Sequence, residues 1–346
     1  MPRLLPALCL ILAATTTVAQ EGGGPGSGAP DHEALRERAL AVLDRQFGAF
    51  RDATVTLEAA AIDHCDNDAP KEEVRTAFRD AWLAWAPLDS YQFGPIERNA
   101  AALSVNFWPD KKNFVGRALQ GLLSHPAEAQ RLAETVELGS AAGQGFPALE
   151  RLLYEDMPEC PAIVGITAYM TQVAGRLYGD WFGPEGWAEL ALAAGPDNPV
   201  YRSPEEFTKT LYTALDFGLV RISDQRLARP LGTYDHPFPT RAEAWRSDLT
   251  ADLIDAQLDG IALMISDGFA GDIKPRDRDK VLQGLQLAQQ RIDRIGGPIA
   301  EAVADPQTRL RVEALQNRIS DLRTTLAQEV GPALGVDTGF SPADGD

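Results

Sequence analysis

Gly143-Gln144-Gly145-Phe146-Pro147-Ala148-Leu149-Glu150 is the stretch around which the rest of the chain is arranged. Its two glycines free the backbone for a tight turn, and Pro147 fixes φ where the first turn of a helix has no use for an N–H. Apolar residues follow at helical spacing at positions 149, 152 and 153. The stretch therefore predicts a turn that opens a helix inside the protein.

Glu150 is the one charged residue in this turn, and it lies at the margin of the apolar stripe of the predicted helix. Two interpretations are open. The carboxylate is either a charge that the positive end of the helix dipole favours, or a group held in a site.

The N-terminal segment is typical of an export signal. Arg3 precedes an apolar run over residues 4–14, and Thr17-Val18-Ala19 offers small residues for cleavage. We therefore predict a signal peptide over 1–19, a flexible Gly/Pro-rich linker over 20–30 and a periplasmic location. No later run approaches the ~20 apolar residues of a membrane-spanning helix.

The chain is acidic, with 50 Asp and Glu against 32 Lys and Arg among 346 residues, and its formal net charge is −18. A charge this negative repels nucleic acid and anionic lipid, so we expect no nucleic-acid partner. It also predicts that cationic ligands are tolerated better than anionic ones, although a solvated acidic surface explains the same composition.

Outside the signal peptide, Cys65 and Cys160 are the two cysteines. An even count in an oxidising compartment favours a disulfide, and neither residue belongs to a metal-type Cys-x-x-Cys pair. The alternative is two separate buried thiols.

Apolar residues at three- and four-residue steps predict a long helix over 31–65, followed by a second that begins at Asp68 and Pro70. The second stripe runs through aromatic residues to Trp85 and then reaches Asp89, where an apolar residue is due. A charge on a buried stripe is usually paired or functional. The alternative is that the helix ends near Pro87 and leaves Asp89 exposed.

An ordered aromatic loop is predicted over residues 91–113, where aromatic side chains alternate with Gly, Pro and charges. It contains Trp108 and Asp110, and loops of this kind often line a site. Shorter helices over 113–124 and 126–138 follow, and another long one begins just after Cys160.

The second half begins after a Gly/Pro-rich connector, with helices predicted from Ser203, over 277–296 and over 306–330. Ser203 and Glu206 form a capping-box pattern, and Thr240 and Glu243 form a second one, which predicts a helix through Ile265. Glu243, Ser247 and Thr250 would then share one face, lining a cleft or meeting water. Sustained alternation of period two is missing, so the predicted fold class is all-α.

The turn at 145–150, the aromatic segment 82–113 and Trp245-Arg246-Ser247 together resemble the imelysin-like family of exported bacterial proteins. The resemblance extends over nearly the whole mature chain, including the tail at 336–346. It implies two pseudo-symmetric helical bundles, over 31–182 and 203–335, joined by a connector at 183–202. It also implies a site in the cleft between them, a link to iron or metal acquisition, and a peptidase label.

The family pattern at the turn is Gly-x-His-x-x-Glu, and this chain departs from it because Pro147 stands at the histidine position. Without the imidazole, a metal site loses the nitrogen ligand suited to zinc or copper. Oxygen ligands remain, so the resemblance implies a divalent or ferric cation, or none. Those ligands are Glu150, with Asp89, Glu97 or Asp110.

The resemblance also places the turn opposite Arg246 and Ser247, where an arginine would hold nearby carboxylates ionised. The expected metal ligands are Glu150 and Asp89. The predicted ligand-binding set comprises Asp89, Trp108, Asp110, Gly145, Glu150, Arg246 and Ser247.

We therefore predict a periplasmic protein that binds a small polar ligand or a cation, with envelope transport proteins as possible partners. The alternatives are a peptidase and a non-catalytic interaction protein of the envelope. The chain has no His-Glu-x-x-His and no Gly-x-Ser-x-Gly pattern, and its four histidines are scattered, which argues against hydrolysis.

Overall fold

The computed structural model describes residues 29–98 and 100–336, and this part of the chain is helical and contains no β-strand. The fold class is therefore all-α, as predicted. The predicted signal peptide, the linker up to residue 28 and the tail from residue 337 lie outside the described residues. Within the described ranges, no helix is both long enough and apolar enough to cross a membrane.

The fold is built from helices of nine residues or more, joined by shorter helical turns. They are α1 (His32–Asn67), α2 (Lys71–Trp85), α3 (Phe114–Leu123), α4 (Phe146–Tyr154), α5 (Cys160–Phe182), α6 (Pro204–Val220), α7 (Thr250–Leu263), α8 (Pro275–Ile295) and α9 (Pro306–Thr325).

The first helix is the longest, and its two ends have clear local causes. Asp31 caps its start by accepting a hydrogen bond from the amide of Ala34, and Asp68 ends it in the left-handed region with φ 56°. The helix packs against α5 and α2 along its buried side. An aromatic cluster fills the space between these elements, with Phe47 against Trp181 and Phe50 against Trp85.

Cys65 and Cys160 form a disulfide, with Cα atoms 5.3 Å apart. The bond joins the last turn of α1 to the first residue of α5. The predicted pairing is confirmed.

The buried apolar side chains of the described residues form one continuous hydrophobic core that extends through both predicted halves. The first helix packs not only on α2 and α5 but also on α6 and on the π-helical turn Met264–Gly268. In the same way α7 packs on the 3₁₀ turn Ala86–Ser90. The division into pseudo-symmetric bundles stays a prediction.

The predicted helix that starts at Thr240 is wrong, because the chain forms a short 3₁₀ turn at Pro239–Arg241 and then irregular turns until α7 begins at Thr250. Glu243 does not act as a capping residue. Its side chain is fully buried and is hydrogen-bonded by Arg226 and Asn106. The shared face predicted for Glu243, Ser247 and Thr250 therefore does not exist.

Candidate functional site

The turn at 145–150 is held in place by the aromatic loop rather than by an unusual backbone angle. Gly145 is in an extended conformation, with φ −136°. A Cβ atom at this position would lie 2.1 Å from the carbonyl oxygen of Val105 and 2.3 Å from that of Ser104. Only glycine permits this approach of two backbones.

Glu150 is buried in the first half of the chain and bonded to residues from the second half. Its Oε1 accepts hydrogen bonds from the amides of Arg246 and Ser247, each at 3.0 Å, and from the Ser247 hydroxyl at 2.8 Å. The structure therefore brings together Glu150, Arg246 and Ser247, three of the residues predicted to lie near one another.

The segment 243–249 can offer consecutive amides to Glu150 because it is not a helix. Ala244 and Asp248 adopt left-handed conformations, with φ 53° and 61°. Such residues bend the backbone so that neighbouring N–H groups point to one side and form a concave site for an anion. The irregular conformation that broke the predicted helix is thus the feature that binds the carboxylate.

Burial raises the pKa of Glu150 above its usual range, although the bonds from Ser247 and Arg246 oppose the shift. The Arg246 guanidinium lies 3.8 Å from this carboxylate but pairs more closely with Glu155. Burial alone would raise the pKa of Glu155, but the hydrogen bonds from Arg246 and Arg151 lower it. Arg246 was expected to keep Glu150 ionised. Its charge and its amide do lower the pKa of Glu150, but burial outweighs them.

Next to Glu150 lies a cavity of about 180 Å³, which we call the turn pocket. Its walls come from α2, the aromatic loop, the 145–151 turn and the segment 240–246. The lining residues are Trp82, Phe107, Trp108, Pro109, Asp110, Asn113, Val115, Pro147, Glu150, Arg151, Arg229, Thr240, Arg241, Ala242, Ala244, Trp245 and Arg246. Pro147, at the histidine position of the family pattern, is among them.

Four of the predicted ligand-binding residues line this pocket: Trp108, Asp110, Glu150 and Arg246. Asp110 is nevertheless engaged with the backbone, because its carboxylate accepts hydrogen bonds from the amides of residues 112, 114 and 115 at the start of α3. Gly145, Ser247 and Asp89 are not lining residues. Glu97, the remaining oxygen ligand considered, is exposed and lies elsewhere.

Asp89 belongs to a separate, buried ion network. Its Oδ2 lies 2.8 Å from Arg226 and 3.1 Å from Arg221, and its Oδ1 accepts from the Trp85 indole at 2.8 Å. The chain leaves α2 after Trp85 and continues as a 3₁₀ turn, which keeps Asp89 buried instead of exposing it. The prediction that this carboxylate is paired is therefore correct, and the exposed alternative is wrong.

Glu243 completes this network. Burial alone would raise the pKa of Glu243, but the attraction of Arg226 and Arg221 lowers it. Asn106 bridges the two carboxylates, donating to Glu243 at 2.6 Å and to Asp89 at 3.3 Å. Two acids and two arginines balance in charge, which is the arrangement that makes burial of ions tolerable.

Sequence reasoning missed Arg226 and the arginines of the turn pocket. A signal for Arg226 existed, because it follows Ile222 by one helical turn and so continues the stripe of α6, as Asp89 continues that of α2. No comparable signal marks Arg229 and Arg241. Arg229 lies in the one-turn helix Ala228–Leu231 and Arg241 ends the 3₁₀ turn Pro239–Arg241, and both turns are too short to carry an apolar stripe.

The donor set around the two carboxylates does not fit a bound cation. Glu150 receives two amides and a hydroxyl, and Asp89 faces two guanidinium groups, so a cation at either would meet N–H donors or positive charge. Across residues 29–98 and 100–336, no group of three or more His, Cys, Asp and Glu side chains could hold a metal ion. The predicted metal pair, Glu150 and Asp89, therefore lacks a common site.

Two solved structures share this fold. One is an imelysin-like protein from Psychrobacter arcticum, with a TM-score of 0.73 and 18% identity over 90% of this chain and 98% of that one. The other is described as an iron-regulated protein A precursor from Parabacteroides distasonis, with a TM-score of 0.71 and 14% identity over 89% of this chain and 96% of that one. A comparison with curated proteins finds no match.

The match to a family model agrees with the family resemblance of the turn, the aromatic segment and Trp245-Arg246-Ser247. The family model described as Imelysin matches residues 45–326, a range that contains the turn, the aromatic loop, both carboxylate sites and the segment 240–246. Pro147 in place of the motif histidine is a local change inside this match. The chain belongs to the imelysin family.

Proposed function

We propose that this protein is an exported imelysin-family binding protein that holds a small polar ligand in the turn pocket. The observation that carries the proposal is the pocket itself. Aromatic side chains and charged groups from distant parts of the chain converge on one cavity of about 180 Å³. This combination of apolar walls with a few polar groups is typical of ligand sites, and the volume is below the ~300–1,000 Å³ of sites for drug-sized molecules.

The location and the biological context are part of the same proposal. The leader over 1–19 supports export to the periplasm, and the likeness to a protein described as an iron-regulated protein A precursor supports a role in iron acquisition. Pro147 and the donor groups around Glu150 favour binding of a small molecule over direct coordination of a metal ion. An envelope transport protein would then receive the ligand or its iron complex.

A peptidase is the alternative function that the family name suggests. Among the described residues that line the turn pocket there is no serine, cysteine or histidine, so a nucleophile activated by a neighbouring histidine is missing there. The pocket therefore favours binding over hydrolysis. Turnover of casein by the purified protein, abolished by a substitution in this pocket, would favour the peptidase.

The proposal is tested by ligand-induced thermal stabilisation with a panel of small polar molecules, including acids, sugars, amines and ferric complexes. Binding to the native state raises the melting temperature according to ligand concentration and affinity. Thr240 is exposed and lines the pocket, so Thr240→Trp should obstruct it without disturbing the core. Thr324→Trp, on the exposed side of α9, is the matched control.

We expect at least one class of ligand to stabilise the wild-type protein and the control but not Thr240→Trp. If every stabilising ligand acts equally on Thr240→Trp, the turn pocket is not the binding site. If no compound in the panel shifts the melting temperature, the proposed function fails.

A further inference from the structure

The turn pocket is basic, in contrast to the acidic chain around it. Four arginines line it, at positions 151, 229, 241 and 246, against two carboxylates, Asp110 and Glu150. Both carboxylates are already engaged by N–H or O–H donors of the protein. The pocket therefore presents more positive charge than its own acids neutralise.

The four arginines fall into two pairs. Arg151 and Arg246 both bind Glu155, which neutralises part of their charge. Arg229 and Arg241 form no ion pair with a carboxylate in the described part of the chain. Burial and the repulsion from Arg241 lower the pKa of Arg229. Two guanidinium groups that repel each other and lack a counter-ion are a typical arrangement for binding an anion.

Unpartnered hydrogen-bond donors point to the same kind of ligand. Within the described residues, the buried Nε of Arg229 has no acceptor, and neither has the buried indole N–H of Trp82. Both residues line the pocket, and Trp82 is 1% exposed. Buried donors are normally satisfied, and both of these groups can only donate. The group that would satisfy them must carry acceptor oxygens.

We propose that the turn pocket binds a small oxyanion, a carboxylate or a phosphate, through the guanidinium groups of Arg229 and Arg241 and the indole N–H of Trp82. This inference rests on the proposed function and names its ligand class. It reverses the expectation, drawn from the net charge of −18, that cationic ligands are preferred.

The aromatic walls hold these donors in position. Trp82 stacks on Phe146 with ring planes 4° apart and centroids at 5.1 Å, which fixes its indole beside the 145–150 turn. The Arg229 guanidinium lies over the Trp108 ring at 5.6 Å, and that of Arg241 lies over Phe238 at 3.5 Å. Preorganised donors lose little conformational entropy when an anion binds.

The experiment is calorimetric titration of the exported, signal-free protein with citrate and, separately, with inorganic phosphate. The two arms distinguish a carboxylate ligand from a phosphate, and binding of either supports the inference. Glucose and Mg²⁺ serve as a neutral and a cationic probe. Affinity for the anion should fall as NaCl is raised, because salt screens charge attraction.

The variants separate the named donors from general electrostatics. Arg229→Gln should weaken anion binding by about 10- to 100-fold, the range for a lost charge-assisted hydrogen bond. Arg241→Gln should weaken it less, since this side chain is exposed. Arg278→Gln removes the same charge at a surface site paired with Asp279 and should stay within about twofold of wild type.

Trp82→Phe keeps an aromatic ring for stacking but removes the indole N–H, so it should also weaken anion binding while the protein remains folded. Wild-type anion affinity in the Arg229→Gln/Arg241→Gln double variant would overturn the inference. If the pocket binds glucose but neither anion, the inference fails and the proposed function stands, whereas binding of Mg²⁺ alone would contradict both. If neither anion binds and, in addition, no compound of the thermal-stabilisation panel binds, both the inference and the proposed function fail.

Discussion

The backbone amide and the hydroxyl of Ser247 donate to the same oxygen of Glu150, at 3.0 and 2.8 Å, although the two residues are 97 positions apart. The bonds join the middle of α4 to the irregular segment before α7. Because Glu150 lines the turn pocket, these bonds hold one of the pocket's walls in place. Removing the carboxylate would leave two backbone amides and the Ser247 hydroxyl without an acceptor.

We predict that Glu150→Gln remains folded with nearly wild-type stability and that Glu150→Ala is clearly less stable. The glutamine oxygen can still accept the hydrogen bonds from Ser247, so unfolding free energy should stay within about 1 kcal/mol of wild type. Alanine leaves the amides and the hydroxyl without an acceptor and should cost about 2–4 kcal/mol. Urea denaturation followed by circular dichroism measures both. Equal losses in the two variants would contradict the assigned hydrogen bonds.

A pH dependence follows from the raised pKa of Glu150. A group whose pKa is higher in the folded state contributes stability below its unfolded pKa, about 4.3 for Glu, and this contribution is lost as pH rises through the folded pKa. Glu150→Gln cannot titrate at this position. Its stability relative to wild type should therefore increase between pH 4 and 7. A relative stability that decreases over this range would contradict the sign of the shift.

The helices around this site could be predicted because each carries a long apolar stripe that tertiary contacts do not override. The start of α7 could not be predicted from the sequence. Thr240 and Glu243 have the residue types and spacing of a capping box, but Arg226 and Asn106 bind the Glu243 side chain in the core. A local pattern cannot reveal a competing partner that lies far away in sequence.

Arg226→Met should be strongly destabilising, because it leaves Asp89 and Glu243 buried with only part of their compensating charge. Loss of one partner of a buried ion pair costs about 3–5 kcal/mol. Arg45→Met is the matched control: Arg45 pairs with Asp267 at 2.7 Å on the surface, where such pairs contribute at most about 1 kcal/mol. Urea denaturation of both variants measures the two losses of unfolding free energy. A loss below about 1 kcal/mol in Arg226→Met would show that the network contributes little.

The buried ion network should also affect how the stability of the protein depends on pH in the acid range. The pKa of Glu243 is lowered in the folded state, so its stabilising contribution is present above about pH 4.3 and is lost as pH falls through the folded pKa. Replacing Arg226 removes the main attraction that lowers this pKa. The unfolding free energy of Arg226→Met should therefore depend less steeply on pH in the acid range than that of wild type. An unchanged dependence of the unfolding free energy on pH would contradict the conclusion that Arg226 lowers the pKa of Glu243.

The candidate site was partly predictable for a physical reason. Glu150, Arg246 and Ser247 lie in segments with a recognisable residue pattern, so the resemblance placed them opposite one another. Arg229 and Arg241 have no such pattern. Their proposed role in anion binding depends on the absence of a carboxylate partner among the described residues. This absence can be seen only once the positions of all neighbouring side chains are known.

Removing the disulfide should destabilise the protein without changing its helical content. The bridge closes a loop with a sequence separation of 95, and loss of such a native bond costs about 2–5 kcal/mol, largely through the unfolded chain. Urea denaturation with and without reductant measures this. The Cys65→Ser/Cys160→Ser variant is the control, since its stability should equal that of the reduced wild type and should not respond to reductant.

Gly145→Ala should destabilise the protein by about 3 kcal/mol or more, because its Cβ would collide with two backbone carbonyls, which cannot rotate away as a flexible side chain could. Gly121→Ala is the matched control. Gly121 lies on the exposed side of α3 with nothing within 4 Å of the added atom, so alanine there should stabilise the protein by up to about 1 kcal/mol. Urea denaturation of the two variants compares a close backbone approach with an open helical position. Because Gly145 has an extended backbone, the expected loss comes from the contact with residues 104 and 105 alone. Tolerance of Gly145→Ala would mean that the aromatic loop does not hold the turn, and that the wall of the turn pocket is fixed by the bonds to Glu150 instead.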